Sequence, residues 1–223
     1  MIITIDGPSA SGKSSIARLL ASKLGIVHLN SGLLFRAVAY ILMRDLGYTK
    51  SNLMHAKKDD IERIFSHNFE YVSDNGKGEV IYNGKNLTAF LKTEEIDQGS
   101  SIVSAVAYVR DKLLNFQKEF AKQVDSIVID GRDVGSVVFP DADFKIYLTA
   151  SPETRVQRWR QDQFQKGFKY TEQEALQEIN TRDHRDQNRA IAPLIIPKDA
   201  IVIDNSDLTL QETLDEILHK VCI

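Results

Sequence analysis

Met1-Ile2-Ile3-Thr4-Ile5-Asp6-Gly7-Pro8-Ser9-Ala10-Ser11-Gly12-Lys13-Ser14 opens the chain, and its reading decides the fold. Residues 1–6 form an apolar, β-branched run that reads as a buried strand. Gly7 to Ser14 fits the pattern G-x-x-x-x-G-K-[ST]. Beyond it, Ile16, Leu19, Leu20 and Leu24 recur at helical spacing. Strand, loop and helix in that order are the context the pattern requires. Glycines let backbone N–H groups approach phosphate oxygens, and the start of a helix adds partial positive charge. Lys13 is then expected to reach the β- and γ-phosphates of ATP, and the Ser14 hydroxyl to hold Mg²⁺. Gly7, Pro8, Ser9, Ala10, Ser11, Gly12, Lys13, Ser14 and the adjoining Ser15 make up the candidate ATP site. The bland alternative, a Gly/Ser turn that binds nothing, leaves the lysine and the flanking pattern without a reason.

Outward from this loop, Gly25 closes the first helix and Ile26–Leu29 reads as a second strand. Ser31 is the expected cap of a helix over about 32–46, stopped by Gly47. The stretch 59–91 breaks the rhythm with a short helix and apolar runs separated by Asn75-Gly76 and followed by Asn83-Gly84, which are hairpin turns by composition. Residues 93–123 read as two helices meeting near 105–107, followed by strands at 126–129 and 144–148. Residues 152–189, rich in Arg, Gln, Asp and Glu, read as mobile or solvated helices rather than core. A strand at 200–203 and an amphipathic helix at 209–221, with Leu210, Leu214, Ile217 and Leu218 on one face, complete the chain. The alternation predicts an α/β phosphate-loop fold of three layers: a parallel central sheet with helices on both faces, a small antiparallel insertion and a helical lid. One domain is expected over 1–223, its core at about 1–58, 92–150 and 195–223, its insertion at about 59–91 and its Arg-rich lid with the following helix at about 151–194.

Composition narrows the classes of function. The chain has 223 residues, 43% hydrophobic, enough apolar material for one sizeable core. A formal net charge of -3 lacks the basic excess that nonspecific nucleic-acid binding needs. The single cysteine, Cys222, offers no intrachain disulfide partner. No basic leader and no apolar run of ~18 residues stands in the sequence, so no membrane association and a cytoplasmic location are expected. His28, His55, His67, His184 and His219 are scattered, without zinc-ligand spacing.

A second set of residues carries charge. Strand 126–129 runs into Asp130-Gly131-Arg132-Asp133, which puts a carboxylate at the carboxyl end of a buried strand, where ligands bind in open α/β sheets. Asp130 could orient Mg²⁺ or its waters; by itself the tetrapeptide is equally an ordinary turn. Arg182, Arg185 and Arg189 fall at i, i+3 and i+7, one helical face, with Asp186 placed to pair with them. Such a run alone reads as a solvated face. Arg155, Arg158 and Arg160 form a further cluster. With Lys13, so many cations make sense if they converge on the phosphates of two nucleotides. An N-K-x-D guanine-reading motif is absent from the sequence.

Ile5-Asp6-Gly7-Pro8, Asn30-Ser31-Gly32-Leu33-Leu34-Phe35-Arg36, Asp130-Gly131-Arg132-Asp133, Val137-Val138-Phe139-Pro140-Asp141-Ala142, and Arg182-Asp183 with Asp186, Asn188-Arg189 and Ala192-Pro193-Leu194 together resemble the bacterial cytidylate kinases over nearly the whole chain. The insertion resembles the extra β-element of that family. The resemblance implies Mg²⁺-dependent transfer of the ATP γ-phosphate to CMP or dCMP in pyrimidine nucleotide metabolism, by a monomer. It implies that Arg36 and Arg132 hold the CMP phosphate with Ser31 and Phe35 beside them. Ser101, Arg110 and Asp133 would read cytosine, and Arg182, Asp186 and Arg189 would serve sugar and phosphates. Arg155 and Arg158 would sit on a lid over ATP; Lys13, Arg132, Arg155, Arg158 and Arg182 would carry catalysis. Three positions depart from the pattern: Asn30 where Asp is common, Phe35 where Tyr is common, and Gln187 where Arg is frequent. A kinase for another small acceptor and an ATP-dependent switch are the rival readings.

Overall fold

In the computed structural model, which describes residues 1–74 and 76–221, β1 (Ile2–Asp6) forms the middle of a five-stranded sheet. It is flanked by β6 (Ile127–Gly131) and β7 (Phe144–Thr149), with β2 (Val27–Asn30) and β8 (Ile201–Asp204) at the edges, and every pairing is parallel. Alternation along the strands divides the apolar side chains between two cores. Ile3, Ile5, Val128, Ile146 and Leu148 pack beneath α1 (Lys13–Leu24) and α8 (Leu210–Val221). Leu29, Ile127 and Ile129 turn the other way, toward α2 (Ser31–Arg44), α4 (Glu94–Val103) and α5 (Ala107–Lys122). β6 thus feeds both cores, and its far end delivers Asp130, fully within the strand rather than just after it, to the carboxyl edge of the sheet.

Two expectations need correction here. The cap of α2 is Asn30, not Ser31: the Asn30 side-chain oxygen accepts from the Leu33 N–H at 2.8 Å, while Ser31 is already the first helical residue. Arg189 is not on the same helical face as Arg182 and Arg185. α7 (Glu172–Asn188) ends one residue earlier, and Arg189 follows in extended conformation.

The insertion comprises α3 (Lys58–Ser66) and an antiparallel sheet of β3 (Phe69–Asp74), β4 (Lys77–Tyr82) and β5 (Lys85–Asn86) in that order. Asn83 (φ 49) and Gly84 (φ 74) are both left-handed, as a two-residue primed turn demands. Asn75 of the other expected turn lies outside the described residues, as does Cys222. One hydroxyl of the insertion meets the open edge of β2. Tyr71 Oη accepts from the Asn30 N–H at 3.0 Å and donates to the His28 carbonyl at 3.2 Å.

α6 (Pro152–Gln165) and α7 form an arm over the phosphate loop. Ser151 caps α6 ahead of Pro152, and Thr171 with Glu174 forms a capping box on α7. Val156, Ala175 and Ile179 make a small core of their own against Trp159 and Ala10. The arm is less solvated than its composition suggests: Asp183 and Asp186 are buried, because each is paired with an arginine from another element.

Tyr71→Phe removes the hydroxyl that satisfies two edge groups of β2, so folding stability should fall by about 1–3 kcal/mol. Urea unfolding checks this; a loss below about 0.5 kcal/mol, the scatter of ordinary surface changes, would show that water replaces the hydroxyl at no cost.

Candidate active site

The phosphate loop is built as its sequence requires. Gly12, at φ 88, is the left-handed residue that turns the chain into α1. No side chain caps α1 and no acidic residue stands in its first turn, so its leading N–H groups and positive end remain available to an anion. Lys13 is buried, its Nζ donating to the Pro8 carbonyl at 2.9 Å. Burial, reinforced by Arg132 and Arg182, presses its ammonium well below the ordinary value despite the opposing charges of Asp130 and Asp183. An ammonium so short of counter-charge favours an incoming phosphate.

Opposite it, the Ser14 hydroxyl donates to Asp130 Oδ2 at 2.5 Å, and His28 Nε2 lies 2.8 Å from Asp130 Oδ1. Burial alone would raise the carboxyl of Asp130, yet the hydrogen bond and charge of His28, helped by Ser14, keep it below the usual range. His28 Nδ1 meets the Gly76 carbonyl at 3.0 Å, so both ring nitrogens face acceptors. Burial would lower this imidazole, but Asp130 outweighs it and raises the value. A hydroxyl beside an ionised carboxylate is the hard-oxygen pair that suits Mg²⁺, so Ser14 and Asp130 fit the expected ion.

Across a cleft of about 1590 Å³, lined by residues of the phosphate loop, α2, α4, the end of β6 and both arm helices, stand the other expected residues. Asp133 is clasped between Arg110 and Arg189, the latter at 3.1 Å. Arg110 also donates to the Ser104 carbonyl at 2.9 Å and lies 5.4 Å over the Phe35 ring. Arg185 donates to the Ser101 hydroxyl at 2.7 Å. Arg132 reaches Asp186 at 3.0 Å and the Ser9 hydroxyl at 3.3 Å. Arg155 pairs with Asp183, which in turn accepts from the Ser9 N–H at 2.8 Å. Arg158 holds Asn205 through its side-chain oxygen at 2.9 Å and its carbonyl at 2.8 Å. Arg36 and Arg182 meet at one carboxylate, that of Asp97. Ser31 is buried at the start of α2 and lines the cleft with Ser15 and Phe35. Arg160 is the one arginine of the charge clusters that the fold turns aside, donating to the Tyr170 carbonyl.

Sequence reasoning missed five participants: Asp6, His28, Asp97, Asp183 and Asn205. Asp6 had a signal, a carboxylate at the end of an apolar strand. Its two oxygens accept from Val134 N at 2.9 Å and Gly135 N at 2.7 Å, and burial pushes its carboxyl up to about 6. Those bonds fix the turn of π-helix Val134–Val138 that follows Arg132 and Asp133. His28 and Asp97 had no local signal, since their partners lie 102 and 61 residues away.

A family model described as Cytidylate kinase matches residues 3–222. The chain belongs to the cytidylate kinase family. It is a phosphotransferase. Curated relatives named Cytidylate kinase include one from Thermotoga sp., 40% identical over 220 residues, spanning 98% of this chain and 96% of the relative. Another, from Caldicellulosiruptor bescii, is 38% identical over 218 residues, spanning 97% and 93%. Among solved structures, an uncharacterized protein from Eubacterium ventriosum superposes with a TM-score of 0.53 at 16% identity, covering 100% of this chain and 98% of that one, a likeness of fold. In this member of the cytidylate kinase family, no described helix is long and apolar enough to cross a membrane.

The paired carboxylates set an acid limit. Arg182 and Arg36 hold the Asp97 carboxyl far below the usual range against burial, and Arg132, Arg182 and Arg189 hold that of Asp186 below it. Below the ordinary carboxylate value of 3.8 the unfolded chain therefore binds more protons than the native one. Stability from these groups is complete above that value and is withdrawn as pH falls through the depressed ones. Unfolding stability in urea should fall by about 1–2 kcal/mol between pH 4 and pH 2, screening of the partly exposed Asp97 included, whereas the Asp6 carboxyl should titrate near 6 by carbon NMR. A flat acid limb would contradict the pairing of Asp97 and Asp186.

Proposed function

We propose that this family member phosphorylates CMP and dCMP from ATP with Mg²⁺, as a cytoplasmic monomer whose single domain carries the insertion on the monophosphate side and the arm as a lid. The observation that carries the reading is the Asp133 carboxylate, held between Arg110 and Arg189 near Ser101 and facing the phosphate loop across one cleft. Cytosine presents an amino donor beside ring acceptors, and a fixed carboxylate beside guanidinium and hydroxyl donors complements that edge. Arg36 and Arg132, with Ser31 and Phe35 beside them, hold the acceptor phosphate. Asp186 and Arg189 meet the sugar, and Arg182 stands between the two nucleotides. Lys13 and the loop from Gly7 to Ser15 hold the donor phosphates. Arg155 and Arg158 press on the loop carbonyls of Ser9 and Ser11 and serve the γ-phosphate as the arm closes.

An oxygen of the CMP phosphate, already anionic at neutral pH, attacks the γ-phosphorus in line, and the bond to the bridging oxygen breaks to release ADP. No general base and no covalent enzyme intermediate are needed. Ser14 and Asp130 would hold Mg²⁺, which would supply neutralisation of phosphate charge. The residues contribute alignment, exclusion of water and positive charge placed before the reaction begins.

ADP formation from ATP and Mg²⁺, with CMP, dCMP, UMP, AMP and GMP offered separately, tests the assignment; preference for CMP and dCMP is the expected result. Turnover on another monophosphate would overturn the base-reading residues. ATP binding without any transfer would favour a switch. Lys13→Ala should lower kcat by about 10²–10³, and a near-normal rate would sink its assigned role. Asp133→Ala should raise the KM for CMP far more than that for ATP, because the cytosine amino group loses its acceptor; equal effects on both would remove Asp133 from the base site.

A further inference from the structure

Arg36 and Arg182 share a partner that is not a substrate. Asp97 Oδ1 accepts from Arg36 Nε at 3.0 Å and Nη2 at 2.6 Å, and Oδ2 accepts from Arg182 Nη1 at 2.7 Å. A carboxylate gripped by one guanidinium fork and touched by a second satisfies the same donors that a phosphate would take. Arg182 Nε is buried without a hydrogen-bond partner among the described residues, so Asp97 answers only part of what the two arginines offer. Side chains of Arg36, Asp97 and Arg182 line the cleft and are 27%, 32% and 26% exposed, open enough for an anion in solution to reach them. The carboxyl stays ionised because both arginines hold it below the usual range, so it competes as a full negative charge.

Withdrawal from the arginines would not leave Asp97 unsupported. It stands in the first turn of α4, whose positive end continues to favour a carboxylate released from the arginines. Neighbouring contacts from the same helix hold the arm. Glu94 accepts from the Tyr170 hydroxyl at 2.9 Å, and Ser101 accepts from Arg185 at 2.7 Å. Release of Asp97 therefore leaves the arm attached to α4 at two other points.

We propose that Asp97 is an internal anion that fills the monophosphate position between Arg36 and Arg182 until a phosphate displaces it, and that it thereby sets the affinity of that position. The inference rests on the reading of Arg36 as a holder of the acceptor phosphate. A ligand that binds only the fraction of molecules in which Asp97 has withdrawn has its apparent affinity reduced by that fraction.

Calorimetric titration of CMP, inorganic phosphate and ATP, each alone, into the wild type and Asp97→Asn tests it, with thermal melting of both proteins alongside. The amide keeps the shape and removes the charge. CMP and inorganic phosphate should both bind Asp97→Asn about tenfold more tightly or better, ~1.4 kcal/mol, while ATP affinity is unchanged. Inorganic phosphate binding that is equal or weaker in folded Asp97→Asn would overturn the proposal. So would an equal tightening for ATP, which would mark a general change of charge. Tighter inorganic phosphate binding without CMP binding in either protein would support Asp97 as the internal anion and reject the CMP reading of the site. Should Asp97→Asn melt before it can be titrated, Asp97→Ser carries the same expectations.

Discussion

Arg36, Arg132, Arg182 and Arg189 line one cleft, with Arg110 and Arg155 paired to carboxylates beside it, and their mutual repulsion in surroundings poor in water has to be met by carboxylates. Asp97, Asp133, Asp183 and Asp186 meet it, each held by an arginine from another part of the chain. The arrangement is a lattice of shared partners rather than a set of isolated pairs: Asp133 serves two arginines, and so does Asp97. Every guanidinium is thereby oriented before a nucleotide arrives, which lowers the reorganisation that phosphoryl transfer requires.

That lattice needs a rigid base, and the parallel sheet supplies it. β1 and β6 deliver Asp6 and Asp130 to the same carboxyl edge, one residue out of register and so on opposite faces of the sheet, and the phosphate loop springs from that edge. Close approach there leaves no room for side chains on the glycines between. A Cβ on Gly131 would meet Val134 Cγ2 at 2.4 Å, and one on Gly7 would meet the Leu148 carbonyl oxygen at 2.1 Å. Asp6 then ties the backbone after Asp133 to the central strand, so the turn that carries Asp133 inherits the stiffness of the core.

Much of this was legible in order of residues. The strand, loop and helix of Met1 to Leu24 followed from apolar spacing and two glycines, and Asn83-Gly84 announced its hairpin through the backbone angles it permits. What the sequence withheld were partners. Nothing near Arg182 in the chain suggests Asp97, and Arg-rich composition in the arm reads as solvated surface until folding brings buried carboxylates to it. Asn30 shows the same limit on a smaller scale. As a letter it is a missing negative charge; in place it caps α2 and sends its amide toward Asp130 at 3.5 Å. Local order carries periodicity and turn chemistry, whereas charge pairing is settled by topology.

His28 has one ring nitrogen on Asp130 and the other on the Gly76 carbonyl, so a single imidazole spans from the centre of the chemistry to the tip of the β-insertion. The ring is rigid, so a shift of Asp130 that keeps both hydrogen bonds also shifts the hairpin. Thermodynamic reciprocity governs such a strut: whatever free energy a change at Asp130 imparts to the position of the insertion, displacement of the insertion returns to Asp130 in equal measure. The β-insertion and the carboxylate beside the phosphate loop are in this sense the two ends of one strut.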